Sequence, residues 1–369
     1  MGWSRRGVGL TYYDPGRAYP GYTLLTVSGG DKVYLIDLEG SIVHQWHYAH
    51  GFGECHLLPS GHLLFRSARS TDRGGFPGLP VSDTVGELGW EGEVVWEHHN
   101  PNIRRYSRLP NGNTMLLLSE QISAEKTRQV QGGYATSSDP ERMLGDLVFE
   151  VTPEGSLVYE WRSADHLDPE TDIICPLENR VAWGGANDFT ALEDGSFLIS
   201  FRILDTVALV DRKTGEFSWK WGRGQISHQH NPTRLANSHV LLLDNGSHRR
   251  GLSYSRVVEV DIDTSEIAWE YHGEPLTSFF THFTGGAERL PNGNTLICEG
   301  SEGRLFEVTP GGEVAWEYIS PLFLPDPSPR ASVRKGPSLL GRDGPSRRTI
   351  GPMVPVATYR WPHRRRYPR

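Results

Sequence analysis

Two histidines that lie two residues apart are the first candidates for chemistry in this sequence of 369 residues. His228 and His230 stand in the segment "ISHQHNPTRLANSHVLLLDNG", just before an apolar run that predicts a β-strand. If that strand includes them, their i, i+2 spacing puts both imidazoles on the same face. A neutral imidazole is a nucleophile near neutral pH, and it also ligates metals. What the pair does therefore depends on the elements that position it.

Hairpins with tight turns recur along the chain. One signature is a hairpin with a turn of the "LPNGN" type, in which Asn-Gly or Asp-Gly supplies the positive φ angles that such turns need. Its five copies open at Leu58, Leu109, Leu192, Leu235 and Leu290. A second signature is an apolar strand, an acidic turn and a strand that ends in aromatic residues. Its six copies place the turn at Gly40, Gly92, Gly155, Gly215, Ser265 and Gly312.

The turns of the second signature follow one another at steps of 47 to 63 residues. Two hairpins per repeat make a four-stranded blade, and repeats of this length are typical of a β-propeller. An immunoglobulin-like array is the alternative, but its strand alternation lacks the two-hairpin repeat. We therefore predict an all-β fold, a six-bladed β-propeller of four-stranded blades.

The first blade, at about residues 20–46, lacks an inner hairpin strand, since the first signature has five copies and the second has six. Propellers usually close by borrowing that strand from the other end of the chain. The segment 353–361, "MVPVATYRW", has strand character, so we predict that this C-terminal strand closes the ring. One propeller domain then covers residues 1–326, with a loop inserted in its third blade at about 119–145.

Composition excludes several classes of function. No run of about 18 apolar residues occurs, so no membrane span is predicted. The tail, residues 327–369, holds 11 Lys or Arg and one acid, whereas the rest of the chain carries 26 basic and 44 acidic residues. The acidic body argues against nucleic-acid binding, and the Pro-, Gly- and Arg-rich tail is typical of a solvated segment. Cys55, Cys175 and Cys298 form no CxxC pair and fit a cytoplasmic location.

The repeats indicate which side chains reach the central channel. The inner strand of each blade lines this channel, and the residues just before that strand face its mouth. Five places before each leucine of the first signature stand Gly53, Arg104, Asn187, His230 and Gly285. His230 therefore occupies an axial position. The other polar candidates near the same level are His228, Arg202, His56, Tyr106 and His282.

Convergent histidine, arginine and asparagine with few carboxylates indicate a site that receives an anion, and they do not fit a glycosidase. Two alternatives stay open for His228 and His230. They could satisfy backbone groups in a tight channel, or they could ligate a metal. No acidic or cysteine partner with a recognisable spacing accompanies them, so we predict no metal and no cofactor.

Three segments are distinctive when they are taken together: "SHQHNPTRL…LLLDNG", "VDRKTGEFSWKWG" and "GGAERLPNGNTLICEG…GRLFEVTPGGEVAWEY". In these segments the chain closely resembles bacterial arylsulfotransferases of the PAPS-independent type, and the similarity covers about residues 20–320. The "QH…DNG" and "R…DRKTG" spacings are more specific than the "LPNGNT" repeats, which many propellers share. The resemblance implies a six-bladed propeller that passes a sulfuryl group from a phenolic sulfate ester to another phenol through a transient sulfohistidine.

The resemblance also implies roles for individual residues. His230 matches the nucleophilic histidine of the family's "QH" motif, Asn187 the asparagine of its His-x-Asn motif, and Arg202 the arginine that binds sulfuryl oxygens. A planar guanidinium can hold two oxygens of a tetrahedral anion, and His228 with Asn187 could stabilise charge on the transferred group. Gly185 stands where the family has the histidine of His-x-Asn.

We predict from this an enzyme, a transferase of the arylsulfotransferase class with an altered site. Its expected partners are a small anionic aromatic substrate and a phenolic acceptor, with no nucleic acid and no membrane. The alternatives are a propeller lyase or hydrolase that acts on an anionic substrate, and a non-catalytic propeller that binds a ligand or a protein. The predicted catalytic residues are His230, His228, Arg202 and Asn187, and the predicted substrate-binding residues are Arg104, Tyr106, His56 and His282.

Overall fold

Glycine-containing turns close the hairpins of the first signature. In the turn at Leu109, the Leu109 N–H donates to the Asn113 carbonyl at 2.8 Å. The Asn111 side chain accepts from the Asn113 N–H at 2.9 Å, and Gly112 takes a left-handed φ of 87°. Gly293 has a φ of 89° at the equivalent place in the last blade. A side chain is strained at such φ values, which is why glycine recurs at this position.

The computed structural model describes residues 7–68, 82–135 and 142–322. Strand β1 (Gly9–Tyr13) precedes the first blade, and α1 (Ala124–Gln129), β11 (Gly132–Tyr134) and β14 (Ile174–Asn179) lie between blade strands. The first blade comprises β2 (Thr23–Thr26), β3 (Lys32–Ile36) and β4 (Ile42–His47), and the second comprises β5 (Phe52–Leu57), β6 (Leu63–Ser67), β7 (Ser82–Leu88) and β8 (Val94–Ile103). The third comprises β9 (Arg105–Arg108), β10 (Thr114–Gln121), β12 (Leu144–Val151) and β13 (Leu157–Arg162), and the fourth comprises β15 (Ala186–Ala191), β16 (Phe197–Phe201), β17 (Thr206–Val210) and β18 (Phe217–Trp221). The fifth comprises β19 (His230–Arg234), β20 (Val240–Asp244), β21 (Arg256–Val260) and β22 (Ile267–His272), and the sixth comprises β23 (Gly286–Arg289), β24 (Thr295–Glu299), β25 (Arg304–Val308) and β26 (Val314–Ile319).

These strands form six antiparallel blades, so the predicted all-β six-bladed propeller is confirmed. The second to fifth blades have four strands each. In the part of the chain that the structure describes, the first blade has three strands, and the sixth has five because β1 pairs with β26. The segment 353–361 lies outside the described residues, so closure by that strand stays a prediction.

The six blades are tied together by a ring of tryptophan hydrogen bonds. A tryptophan in the last strand of each blade in chain order donates its indole N–H to a backbone carbonyl in the outer turn of the next blade, at 2.7 to 3.1 Å. The donor–acceptor pairs are Trp46–Gly89, Trp96–Pro153, Trp161–Gly215, Trp221–Ser265, Trp269–Pro310 and Trp316–Leu38. The aromatic end of the second signature is therefore the joint between blades.

The last of these bonds closes the ring, since Trp316 lies in the sixth blade and Leu38 in the first. Around it, Leu25 and Ile36 of the first blade pack in one buried apolar cluster with Leu296 of the sixth. Trp316 is fully buried in this cluster. The first and last blades therefore meet through a dry interface, and β1 covers the outer edge of the sixth blade.

The insertion predicted at about 119–145 folds, where it is described, into secondary structure of its own. Ser123 caps α1 by accepting from the Lys126 N–H at 3.1 Å, and β11 then pairs in parallel with β14. Arg180, which directly follows β14, connects this strand to the insertion, because its guanidinium donates to the carbonyls of Val130 and Gly132. The insertion thus supports β14, which leads into the fourth blade.

No helix in residues 7–68, 82–135 or 142–322 is long and apolar enough to cross a membrane.

Removing the indole N–H at the closing joint tests the role of the tryptophan ring. We expect Trp316→Phe to lower the free energy of unfolding by about 2–3 kcal/mol, because a buried carbonyl loses its donor and a small cavity forms. Trp96→Phe is the matched control, since Trp96 is half-buried, and a loss below about 1 kcal/mol is expected there. Denaturant unfolding measures both, and equal losses would contradict a special role for the closing joint.

Candidate functional site

The candidate residues gather at one end of the propeller because of how the chain runs through each blade. In an antiparallel meander, the start of the inner strand and the link between the second and third strands lie at the same end of the sheet. His230 starts the inner strand β19, and Arg105 starts the inner strand β9. Arg202 directly follows β16 and Asn245 directly follows β20, so both lie in the link between the second and third strands of their blades. The site is therefore assembled from three neighbouring blades.

Asn245 fixes the orientation of the His230 ring. The Nδ1 atom of His230 lies 2.8 Å from Asn245 Oδ1. The Asn245 Nδ2 donates to the backbone carbonyls of Thr281 at 2.7 Å and Thr284 at 2.8 Å, so its amide oxygen must face the histidine. An amide oxygen only accepts hydrogen bonds, so His230 carries its proton on Nδ1. The lone pair of the ring is then on Nε2, and a neutral imidazole nitrogen with a lone pair can act as a nucleophile.

Burial keeps the His230 ring neutral. Only 6% of the residue is exposed, and desolvation lowers the pKa of His230 to about 3. The positive charges of Arg105 and Arg202 lower that pKa further, whereas the hydrogen bond to Asn245 raises it. A ring with this pKa is unprotonated at any ordinary pH, so its lone pair is always available.

Two arginines supply positive charge near His230. The Arg202 Nη1 lies 3.0 Å from Glu178 Oε1, and its side chain is 29% exposed. The Arg105 Nε lies 3.4 Å from Glu54 and 3.8 Å from Asp188, deeper in the channel. Burial raises the pKa of Asp188 to about 6 although Arg105 opposes the shift. The site thus combines a neutral imidazole with two guanidinium groups, which suits an anionic ligand.

Asn187 contacts the backbone of Gln229, the residue that directly precedes His230. The Asn187 Nδ2 donates to the Gln229 carbonyl at 2.7 Å, and this leaves its second N–H for another acceptor. The Gln229 side chain is fully buried and donates to Ser200 Oγ at 3.0 Å and to the Thr206 carbonyl at 2.9 Å. The backbone around His230 is therefore rigidly held.

His228 does not share a face of a strand with His230, so that expectation was wrong. Strand β19 begins at His230, and His228 precedes it with a left-handed φ of 58°. Its N–H is held by Asp205 Oδ1 at 2.9 Å, which stabilises this turn. The His228 ring instead lies against His248, with the ring centroids 4.0 Å apart. Burial lowers the pKa of His228 to about 2, so this ring is neutral as well.

The structure places Arg104 and Tyr106 in contacts within the protein. The Arg104 Nη1 donates to Asp146 Oδ1 at 2.7 Å, and both side chains are buried. The Tyr106 hydroxyl donates to the carbonyls of Glu54 and Leu64 at 3.1 Å. Tyr106 thus joins the third blade to the second, and Arg104 joins the third blade to the fourth because its Nη2 also donates to the Ala186 carbonyl.

His56 and His282 lie apart from each other. The His56 Nε2 is 3.3 Å from Glu54 Oε1, so His56 belongs to the group of charges around Arg105. His282 is exposed, and its carbonyl accepts from the Ser247 hydroxyl. His56 is thus in a position to influence the channel electrostatically, and His282 lies at the surface.

Gly185 has a left-handed φ of 57°, and an added Cβ would lie 3.1 Å from the Ile203 side chain. A histidine at this position would need both a strained backbone and a shift of Ile203. The local conformation therefore favours the glycine that this sequence has.

Sequence reasoning missed several residues of this region. Asn245 stands in the "DNG" motif, and its place directly after a predicted strand was a signal that could have identified it. Arg105 lies one residue beyond an axial position. The remaining members, Cys175, Glu178 and His248, are brought to His228 only by the fold, since 73 residues separate Cys175 from its partner His248.

Comparisons with known proteins agree with the resemblance noted from the sequence. The family described as Arylsulfotransferase (ASST) matches residues 106–320, which is more than half of the chain. Among curated proteins, none matches the chain at a significant level.

Solved structures with a similar fold share little sequence with the chain. A protein of unknown function from Bacteroides caccae is similar with a TM-score of 0.52 and 15% identity, over 81% of this chain and 93% of that one. A virginiamycin B lyase from Staphylococcus aureus gives a TM-score of 0.47 and 11% identity, over 86% of this chain and 87% of that one. At these identities the likeness concerns the fold alone.

The protonation of His230 can be tested through Asn245. We expect the wild-type ring to be a neutral Nδ1–H tautomer, and Asn245→Ala to lose this preference because the acceptor is gone. Asn245→Asp is the matched variant, since it keeps an acceptor while it loses both donors. Imidazole 15N chemical shifts, assigned with His230→Gln, report the tautomer. An unchanged Nδ1–H tautomer in Asn245→Ala would show that another group sets it.

Proposed function

The chain belongs to the arylsulfotransferase (ASST) family, and from that premise we propose that it transfers a sulfuryl group from a phenolic sulfate ester to a phenol, with His230 as the group carrier. The observation that carries this proposal is the state of the His230 ring. It is buried and neutral, and the 2.8 Å hydrogen bond from Nδ1 to Asn245 leaves the lone pair on Nε2. Such a ring is prepared for nucleophilic attack without the help of a separate base.

The proposed reaction has two half-reactions. In the first, His230 Nε2 attacks the sulfur of the aryl sulfate, an N–S bond forms, and the bond from sulfur to the phenolic oxygen breaks. The electron pair of the broken bond leaves on the phenolate. In the second, the oxygen of an acceptor phenol attacks the same sulfur, the N–S bond breaks, and its electron pair returns to Nε2. The proton of the acceptor passes to solvent.

Charge on the transferred group is met by side chains that the fold holds in place. Arg202 lies at the partly exposed end of the site, where a sulfate ester can enter, and its guanidinium has donors beyond the one directed at Glu178. The second N–H of Asn187 adds a neutral donor next to the His230 backbone. Preorganised donors of this kind stabilise the oxygens of a transferring group because they need no rearrangement in the transition state.

Burial of the carrier favours transfer over hydrolysis. His230 is 6% exposed, so a sulfuryl group on Nε2 would be largely shielded from water. A phenol that packs into the mouth can reach the sulfur, whereas bulk water is excluded by the same walls. This supports a transferase in preference to the hydrolase alternative.

The central test is a single-turnover reaction with an aryl sulfate and no acceptor. We expect one equivalent of phenol in a burst, and a protein that carries one sulfuryl group on His230 until a phenol discharges it. His230→Ala should lose both the burst and the label. His47→Ala is the control, because this exposed histidine lies in the outer strand β4 of the first blade, and it should keep both. Phenol release and intact-protein mass measure the two outcomes.

Two results would contradict this proposal. Turnover of aryl sulfate by a wild-type protein that never acquires the label would exclude the covalent intermediate. Continued phenol release in the absence of an acceptor would identify a hydrolase instead.

The pH dependence of the burst gives a second test. Because the pKa of His230 is lowered to about 3, its ring stays neutral as the pH falls from 8 to 5, and the burst rate should stay within about twofold. A histidine with the ordinary pKa of about 6.5 would lose about thirtyfold over this range. A loss of that size in a folded protein would contradict the assignment.

Folding must be monitored in the same experiment. The unfolded chain takes up a proton on this histidine near pH 6.5, whereas the folded chain does not until about pH 3. The contribution of His230 to stability is therefore complete above pH 6.5 and declines as the pH falls towards 3. Circular dichroism at each pH separates a loss of fold from a loss of nucleophile.

A further inference from the structure

A second cluster of reactive side chains lies beside the His230 site. The Cys175 Sγ is 3.4 Å from His248 Nδ1, and the His248 ring contacts the His228 ring with centroids 4.0 Å apart. One ligand atom from each of these three residues lies within 4.8 Å of the others. We call these three residues the Cys-His-His cluster. It combines a thiol and two imidazoles, which are the ligands that zinc prefers.

The distances within the cluster suit a tetrahedral ion. Zinc bond lengths of about 2.3 Å to sulfur and about 2.05 Å to nitrogen place a sulfur and a nitrogen ligand about 3.6 Å apart in a tetrahedral site. The observed separation from Cys175 Sγ to His248 Nδ1 is 3.4 Å. This pair of ligand atoms therefore needs only a small adjustment to bind one ion, and the ligand atom of His228 lies within 4.8 Å of both.

His228 is the independent sign that something is bound here. Its side chain is fully buried, and among the described residues neither of its ring nitrogens makes a hydrogen bond. Burying an imidazole whose nitrogens make no hydrogen bond costs free energy, which a metal bond would recover. His230 is not a member of the cluster, because its Nδ1 is held by Asn245. The two histidines thus have separate partners.

The backbone around the cluster is built to hold it. The His248 N–H donates to Ser227 Oγ at 3.2 Å, and the Gly246 N–H donates to the Ser227 carbonyl at 2.8 Å. Only glycine fits at position 246, since an added Cβ would lie 2.1 Å from the Tyr254 carbonyl oxygen. Asp205 holds the His228 N–H on the other side. Cys175 and His248 are half-buried, so an ion can enter from solvent.

We propose that Cys175, His228 and His248 bind a zinc ion, with Glu178 as the carboxylate of the site. Glu178 Oε1 lies 3.5 Å from His228 Nε2, within reach of the ion or of the ring N–H that orients the ligand. On binding, the Cys175 thiol loses its proton to solvent, and the thiolate together with Glu178 balances the charge of Zn²⁺. The proposed zinc site does not include His230, although its carboxylate Glu178 also pairs with Arg202 at 3.0 Å. It departs from the expectation that the chain binds no metal.

Zinc binding is tested first by stoichiometry. The full chain is stripped with a chelator, incubated with zinc, desalted and analysed for metal, and we expect one equivalent per chain. Cys175→Ser and His248→Ala should each lose most of this zinc. Cys298→Ala, a buried cysteine in the sixth blade, and His282→Ala, an exposed histidine, are the matched controls and should keep it. Glu178→Gln should weaken zinc about tenfold to a hundredfold.

Replacing zinc by cobalt then tests directly whether Cys175 is a ligand of the metal. Co²⁺ in place of zinc should give a thiolate-to-cobalt charge-transfer band that is present in Cys298→Ala and absent in Cys175→Ser. Melting temperatures with and without zinc show whether each variant is folded, and zinc should raise the melting temperature of the wild type but not that of Cys175→Ser. A wild-type chain that binds no more zinc than Cys175→Ser, or a Cys175→Ser chain that binds a full equivalent, would overturn the proposal.

Discussion

The hydrogen bond from each outer tryptophan to the next blade is the constraint on which the rest of the structure depends. Every blade donates through its last strand in chain order and accepts at its own outer turn, so the pattern returns to its start after six steps. A donor and an acceptor at 2.7 to 3.1 Å leave little freedom in the angle between neighbouring blades. The inner strands therefore converge in a fixed arrangement, although they belong to separate hairpins.

The candidate site needs that arrangement because no blade contains it alone. Arg105 comes from the third blade, Asn187 and Arg202 from the fourth, and His230 with Asn245 from the fifth. The channel stays stable with so many polar groups because most are paired before a ligand arrives, as Arg104 is with Asp146. In His230 the hydrogen bond to Asn245 fixes Nδ1, which leaves the lone pair of the ring on Nε2.

Most of the fold could be predicted from the sequence because its signals are local. A turn such as Asn111–Gly112 is determined by its own residues, so counting turns gave six blades, and aligning them placed His230 and Asn187 at the channel. Strand β1 could not be predicted, since edge pairing to a distant strand leaves no periodic pattern. Helix α1 of the insertion could not be predicted either, because it is a single short helix in a polar stretch.

The site was predictable only where the repeats determine it. The orientation of the His228 side chain depends on the positive φ angle of this residue, which no sequence pattern indicates. Its neighbour Cys175 lies in β14, before the fourth blade, and its neighbour His248 lies in the fifth blade, so only the folded chain brings them into contact. Residue spacing therefore predicts an axial position for His230, which starts strand β19, and it gives no sign of the residues that surround His228.

Glu178 gives the two clusters a common dependence. One carboxylate oxygen, Oε1, lies 3.0 Å from Arg202 and 3.5 Å from His228. Whatever binds to either side changes the charge that this oxygen sees, and so changes the free energy of binding at the other side. Thermodynamic reciprocity requires the two effects to be equal: an anion that alters the affinity for a cation by some factor has its own affinity altered by the same factor. If both proposed sites are occupied, the oxygen that they share therefore couples the binding of zinc at the Cys-His-His cluster to the binding of a sulfate ester at Arg202.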